Sequence, residues 1–285
     1  MKILLTGGAG RLGVEVAKIL SAAGHTVIAF DLPNVSYQPL EGTPGVQLHK
    51  GDITKPHEVS VACEDADFVI HLAAILPPRS EVNYEFTRRV NVEGTKNILS
   101  AIEKRKTPLI FVSSIATYGV TTGESGLISE SHIQTPTDNY SRSKIAAETL
   151  VLESRISWTI LRVAPIAVAD LIEPTNPIPF REDQRVEFIY IGDAAAAIAS
   201  SLEKDEARGA VMNIAGGPSW RVMGREYMRD FYSALGVEVD LAFSKEYTAV
   251  DWYDTSRSRF LYYQETTLGG LHDKLRELGD NLGLR

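Results

Sequence analysis

The run Asn139–Tyr140–Ser141–Arg142–Ser143–Lys144 places a phenol and an ammonium four residues apart. On a helix that spacing puts Tyr140 and Lys144 on one face. A cation beside a phenol favours its ionised form and turns a weak acid into a proton acceptor. A bare Y-x-x-x-K spacing is common by chance and usually marks two surface residues. Here a serine pair, Ser113–Ser114, closes the apolar run that begins at Leu109. Hydroxyls at the end of such a strand stand where an open α/β sheet has its ligand crevice. Phenol, ammonium and hydroxyl together are the groups that could draw a proton from an alcohol.

The opening "MKILLTGGAGRLG" supplies a second constellation. Lys2–Thr6 reads as a buried strand, followed by Gly7, Gly8, Gly10 and Gly13. Gly8–Ala9–Gly10–Arg11–Leu12–Gly13 fits G-x-G-x-x-G, and Thr6, Gly7, Gly10 and Gly13 also fit T-G-x-x-G-x-x-G. Glycines between strand and helix let a pyrophosphate approach the backbone, and the helix N-terminus offers unpaired N–H groups. A tight turn without a ligand uses the same residues. Asp31 narrows the choice, because it closes the second strand 18 positions beyond Gly13. That is near the spacing of a carboxylate that binds adenosine ribose hydroxyls, although a turn-capping aspartate is the plainer reading. Such a carboxylate repels the 2′-phosphate of NADP, so NAD is expected. Arg11 points the other way, as a cation able to meet a phosphate.

These residues need a frame. Lys2–Thr6, His25–Phe30, Val46–Leu48, Asp67–Leu72, Leu109–Ser113 and Trp158–Val163 are expected strands. Helices are expected over Arg11–Ala23, Pro56–Cys63, Val90–Glu103 and Tyr140–Glu153. The alternation predicts an α/β fold: a Rossmann-type doubly wound parallel sheet with a small C-terminal substrate-binding lobe. Residues 1–164 form the dinucleotide-binding part. Pro165, Pro174, Pro177 and Pro179 break regular structure after it, so 165–185 and 216–285 are assigned to the lobe. Residues 186–215 are expected to return to the sheet through the strand Val186–Ile191, the helix Asp193–Leu202 and the strand Val211–Ala215. At 285 residues and 44% hydrophobic content the chain can bury a large core. A formal net charge of −8 gives no overall attraction for nucleic acid or an anionic membrane. Cys63 is the lone cysteine, which excludes an internal disulfide and suits a reducing cytoplasm. No export signal or long apolar run is seen. The six histidines, His25, His49, His57, His71, His132 and His272, show no paired metal spacing, so no metal is expected. For His71, packing is the default.

Nine motifs occur in the order found in extended short-chain dehydrogenases/reductases. They are Thr6–Gly13, Asp31, Gly51–Asp52, "HLAA" at His71–Ala74, "NVEGT" at Asn91–Thr95, "SSIATYG" at Ser113–Gly119, "YSRSK" at Tyr140–Lys144, "ILR" at Ile160–Arg162 and "FIYIGDAA" at Phe188–Ala195. The chain resembles the NAD-dependent epimerase/dehydratase branch over nearly its whole length. The resemblance implies Tyr140 as acid/base, Lys144 as the group that holds the nicotinamide ribose and lowers the tyrosine's pKa, and Ser114 as the binder of the reacting oxygen. It implies cofactor contacts from Gly7, Gly10, Arg11, Leu12, Gly13, Asp31, Asp52, Ile53, Leu72, Ala73, Ala74, Asn91, Tyr140 and Lys144. Asp52 would meet the adenine ring or cap its own loop; Asn91 would relay protons or bond to backbone. Asp193 matches a second-lobe motif or caps its helix. An ammonium about 4 Å from a phenol, at an effective dielectric of about 20, contributes roughly 4 kcal/mol, or about three pKa units. Tyr140 is therefore expected to be ionised near neutral pH.

Ile115–Ala116 stand where the sugar-nucleotide dehydratases have an acidic pair, which speaks against dehydration. Pro165 and Val186 stand where nucleotide-sugar epimerases have an asparagine and an arginine. The expected activity is reversible hydride transfer at a secondary alcohol of a sugar or sugar-derived substrate. A UDP-sugar 4-epimerase and a non-catalytic NAD(P)-sensing regulator are the alternatives. A homodimer is expected by analogy, through Val82–Glu103 and Tyr140–Glu153 with Ala146, Ala147 and Leu150 in the contact.

Overall fold

The computed structural model describes residues 1–172 and 175–285. The first half alternates strand and helix: β1 (Lys2–Thr6), α1 (Arg11–Ala22), β2 (Thr26–Asp31), β3 (Val46–Lys50), α2 (Pro56–Cys63) and β4 (Phe68–His71). Next come α3 (Arg79–Val82), α4 (Tyr84–Arg88), a π-helical turn at Arg89–Glu93, α5 (Gly94–Ile102), β5 (Leu109–Ser114), α6 (Asn139–Leu152) and β6 (Trp158–Val163). Four short strands, β7 (Ile166–Ala167), β8 (Arg185–Val186), β9 (Ile189–Tyr190) and, later, β11 (Val222–Met223), build the lobe. With them run α7 (Ile191–Ser201), β10 (Val211–Ile214), α8 (Gly224–Leu235) and α9 (Leu268–Asn281).

Seven strands form one parallel sheet in the order β10-β6-β5-β4-β1-β2-β3. The order reverses between β1 and β4, where such sheets open a crevice beyond their carboxyl ends. Successive residues of a strand face opposite sides. Ile3 and Leu5 accordingly pack with Val16, Leu20 and Ile198 of α1 and α7, while Leu4 joins Val69, Ile98 and Val151 on the other side. Each such fully buried aliphatic contributes about 1.5–3 kcal/mol. A third cluster, around Trp220, Tyr227, Phe231 and Leu271, holds the lobe together.

Three expectations need correction. Residues 186–191 do not return to the main sheet: Val186 pairs with Val222 and Ile189 with Ile166 in separate two-stranded sheets. Two-residue strands separated by Glu187–Phe188 cannot reach the sheet edge, which β10 takes instead beside β6. The expected helix Val82–Glu103 is interrupted at Asn83, whose extended backbone starts a new helix and whose side chain caps it at the Phe86 N–H. Finally, Asp193 lies in the first turn of α7 without capping it; its carboxylate accepts from the Thr266 N–H at 2.8 Å and the Thr266 hydroxyl at 3.0 Å. Pro174, one of the four breaking prolines, lies outside the described residues.

Candidate functional site

Helix α6 starts where its caps require it to. Asp138 accepts from the Ser141 N–H at 2.6 Å, and Ser141 Oγ accepts from the Asp138 N–H at 3.2 Å. A second carboxylate, Glu81 of α3, accepts from the Asn139 N–H at 2.8 Å and the Tyr140 N–H at 3.1 Å. These bonds fix the first turn and leave Tyr140 buried beside the end of β5. There Ser114 Oγ accepts from the Ala116 N–H at 3.1 Å and lies near enough to the Tyr140 phenol to act on its ionisation. Lys144, one turn on, is buried too and donates from Nζ to the Val112 carbonyl at 2.7 Å.

The three groups expected to do chemistry thus meet at the carboxyl end of β5, but their electrostatics differ from expectation. Burial pushes the Tyr140 phenol up to about 12, with the neighbouring Ser114 hydroxyl opposing that rise and the Asp138 charge adding to it. Lys144 is not among the groups that act on it. Its ammonium points down to Val112 and sits 4.7 Å from the Phe111 ring centre. Burial lowers Lys144 to about 8, partly offset by Glu148. The expectation of a phenolate near neutral pH is therefore not met for the protein on its own: burial raises the phenol while the Lys144 ammonium is turned to the Val112 carbonyl.

Glu148 has a signal in the sequence as well, since Tyr140, Lys144 and Glu148 recur every four residues on one helical face. Its carboxylate grips Arg162 of β6, with Nη2 to Oε2 at 2.7 Å and Nε to Oε1 at 3.1 Å. Arg162 also donates to the Tyr118 hydroxyl at 3.1 Å, and Tyr118 donates to Asn213 Oδ1 at 2.6 Å. Burial works against the Arg162 charge, yet Glu148 more than restores it, so its pKa is raised. This network anchors the turn Ile115–Tyr118, which presents Ser114.

The glycine turn faces the same edge. Gly7 has φ +70°, and a Cβ there would sit 2.9 Å from the Ala73 nitrogen; one at Gly13 would sit 2.2 Å from the Gly7 carbonyl oxygen. Helix α1 opens at Gly10 with no side-chain cap and no acid in its first turn, so its N–H groups face outward for an anion. Leu12 packs partly buried against the core. Asp31 accepts from the Ala9 N–H at 3.1 Å, which brings its carboxylate against the turn. These residues fit a dinucleotide. Arg11 is engaged elsewhere, paired with Asp170 of the lobe at 3.1 Å. Asp52 Oδ1 accepts from Thr54 N–H and Oγ1, both at 2.8 Å, closing a local turn. Ile53 is buried against Gly94, and its carbonyl accepts from Asn97. Leu72 donates its N–H to the Thr6 carbonyl, Ala73 abuts Gly7, and Ala74 follows half-buried. Asn91, in the π-helical turn, accepts from the Ile75 N–H at 2.7 Å and donates to the Ile75 carbonyl at 3.1 Å and Ser143 Oγ at 2.9 Å. Its amide is engaged in backbone and helix contacts.

A family model described as the NAD dependent epimerase/dehydratase family matches residues 3–167. The chain belongs to that family. Among relatives, short-chain dehydrogenase/reductase family 42E member 1 of Macaca fascicularis is 34% identical over 164 residues, covering 53% of this chain and 40% of that protein. D-erythronate dehydrogenase of Haemophilus influenzae is 30% identical over 156 residues, covering 53% and 49%. The matched region spans less than half the length of these relatives. Among solved structures, UDP-glucose 4-epimerase of Thermotoga maritima superposes with a TM-score of 0.84 at 19% identity, covering 99% of this chain and 100% of that one. UDP-glucuronic acid 4-epimerase of Bacillus cereus does so at 0.84 and 24%, again covering 99% and 100%. At such identities the likeness concerns the fold. Among the described residues no helix is long and apolar enough to cross a membrane.

Proposed function

We propose that this family member is an NAD-dependent oxidoreductase or epimerase acting at a secondary alcohol of a sugar or sugar-derived substrate. The observation that supports the reading is the buried Tyr140 beside Ser114, one helical turn from the buried Lys144, at the carboxyl end of the sheet that the glycine turn also faces. Gly7, Gly10, Arg11, Leu12 and Gly13 would hold the pyrophosphate, Asp31 the adenosine ribose, and Asp52 and Ile53 the adenine end. Leu72, Ala73, Ala74 and Asn91 would line the nicotinamide end. The bound nicotinamide would supply the hydride acceptor. Ser114 would hold the substrate oxygen by its hydroxyl, and Tyr140 would take the proton at its phenol oxygen. Lys144, fixed on Val112, would orient the nicotinamide ribose. Because Asp31 opposes a 2′-phosphate, NAD is preferred to NADP.

The lobe, residues 165–185 and 216–285, would hold the substrate against residues 1–164. A small sugar or sugar acid is favoured over a UDP-sugar. Arg181, Arg185 and Arg221, cations suited to a diphosphate, are paired with Asp183, Asp251 and Glu187. Pro165 and Val186 offer no polar group in their place. A cytoplasmic homodimer fits this reading, with the contact centred on the half-buried Leu150 and Leu99 along a groove of about 170 Å³. Ala147 is buried in the core and cannot take part. The test is incubation with NAD and a panel of free sugars, sugar acids and nucleotide sugars, following 340 nm absorbance and product stereochemistry. Net NADH identifies a dehydrogenase, and an epimer without net NADH an isomerase. NAD binding with no turnover of any substrate, and a Tyr140→Phe variant indistinguishable from wild type, would leave a dinucleotide sensor.

A further inference from the structure

His71 is buried, ends β4, and takes no part in the chemistry above. Its ring nitrogens contact two threonines, Nδ1 to Thr6 Oγ1 at 2.7 Å and Nε2 to Thr95 Oγ1 at 3.0 Å. Counting hydrogens decides the tautomer. Thr95 donates its single hydroxyl hydrogen to the Asn91 carbonyl at 2.7 Å, so toward His71 it accepts and Nε2 carries the hydrogen. In a neutral ring Nδ1 is then an acceptor and takes the Thr6 hydroxyl hydrogen. The Thr6 oxygen in turn accepts from the Ala73 N–H at 3.3 Å. Every hydrogen in the chain Ala73, Thr6, His71, Thr95, Asn91 has an acceptor, and no other protonation state of the ring achieves this. Burial, with the nearby Lys144 ammonium adding, pushes the imidazole down to about 3 and keeps it neutral.

The two ends of the chain are functional elements. Ala73 is the residue against which the Gly7 turn rests. Asn91 holds both polar backbone groups of Ile75, and Ser143 beside Lys144. We propose that His71 is a positioning residue: as a neutral Nε2–H imidazole it joins the ends of β1 and β4 to the Asn91 turn, setting the spacing between the glycine turn and residues 72–75 that dinucleotide binding requires. The inference rests on the reading of that turn as the NAD site, so it is tested on ring protonation and affinity, not on turnover.

Nitrogen-15 NMR of the wild-type imidazole without dinucleotide should show a hydrogen on Nε2 and none on Nδ1, unchanged from pH 8 to pH 5. A hydrogen on Nδ1, or titration in that range, overturns the inference. Calorimetric titration with NAD, well below each variant's unfolding midpoint, supplies the second arm. His71→Asn keeps an acceptor for Thr6 and should bind within about threefold of wild type, whereas His71→Phe fills the volume with no partner and should bind at least about tenfold more weakly. Equal affinity of wild type and His71→Phe makes His71 a packing residue and sinks this inference alone. Wild-type protein that binds no NAD sinks the site reading with it.

Discussion

Glu148→Gln tests the buried pair that ties the helix of Tyr140 to the turn of Ser114. The Glu148 side chain is 1% exposed and that of Arg162 6%, so the substitution leaves a buried guanidinium without its counter-charge. Removing one partner of such a pair costs about 3–5 kcal/mol. The glutamine oxygen can still accept one of the bonds now made at 2.7 and 3.1 Å, recovering about 1 kcal/mol. The expected net loss is about 2–4 kcal/mol, a fall in Tm of roughly 5–15 °C for a chain of this size. Urea and thermal unfolding of wild type, Glu148→Gln, Arg162→Met and the Glu148→Leu/Arg162→Met double variant measure it. The double variant should lose less than the sum of the single losses, because it buries no orphan charge. A Glu148→Gln loss below about 0.5 kcal/mol, or strict additivity, would refute the claim that this pair is buried and coupled.

Other outcomes follow from neighbouring groups. Gly13→Ala drives a methyl group into the Gly7 carbonyl and should weaken NAD binding by about 10- to 100-fold in calorimetry. With Tyr140 up at about 12, the ionised fraction grows with pH, so the oxidation rate at saturating NAD should climb across pH 7–9, and Tyr140→Phe should lower it about 10²- to 10⁴-fold. His71, held near 3, binds a proton below about 6.5 only once unfolded. Stability should therefore fall as pH drops from about 6.5 toward 3, by up to about 1.4 kcal/mol per pH unit, and the fall should be shallower in His71→Asn. Asp170→Asn frees Arg11 from an exposed pair, so stability should change by less than about 1 kcal/mol while NAD binding tightens at low salt.

The parallel sheet and its glycine turn were readable because they depend on local pattern: apolar runs of strand length, glycines at fixed offsets, and Asp31 at the end of β2. Tyr140, Lys144 and Ser114 were readable for the same reason. What escaped depends on contacts distant in the chain. Glu81 lies 59 residues before Tyr140 yet caps its amide, and no spacing rule announces that. Asn83 starts a new helix by capping the Phe86 N–H, and a π-helical turn carries Asn91, whose amide oxygen accepts from the Ile75 N–H; composition announces neither. For the phenol, residue spacing reports that a cation is near, whereas burial and the direction of Nζ decide which group feels it.

The Glu81 bond also carries a lesson for anyone reshaping this protein. The stretch that precedes it, Leu76–Pro78, is exposed a few residues beyond the carboxyl end of β4 and is a natural place to graft new selectivity. The carboxylate of Glu81, however, is bolted to the first turn of α6, so a transplanted loop without a carboxylate at position 81 would loosen the backbone of Tyr140, the proposed base. On the proposed function, reshaping this loop and disturbing Tyr140 are mechanically geared, and libraries drawn from 76–83 should hold that one position constant.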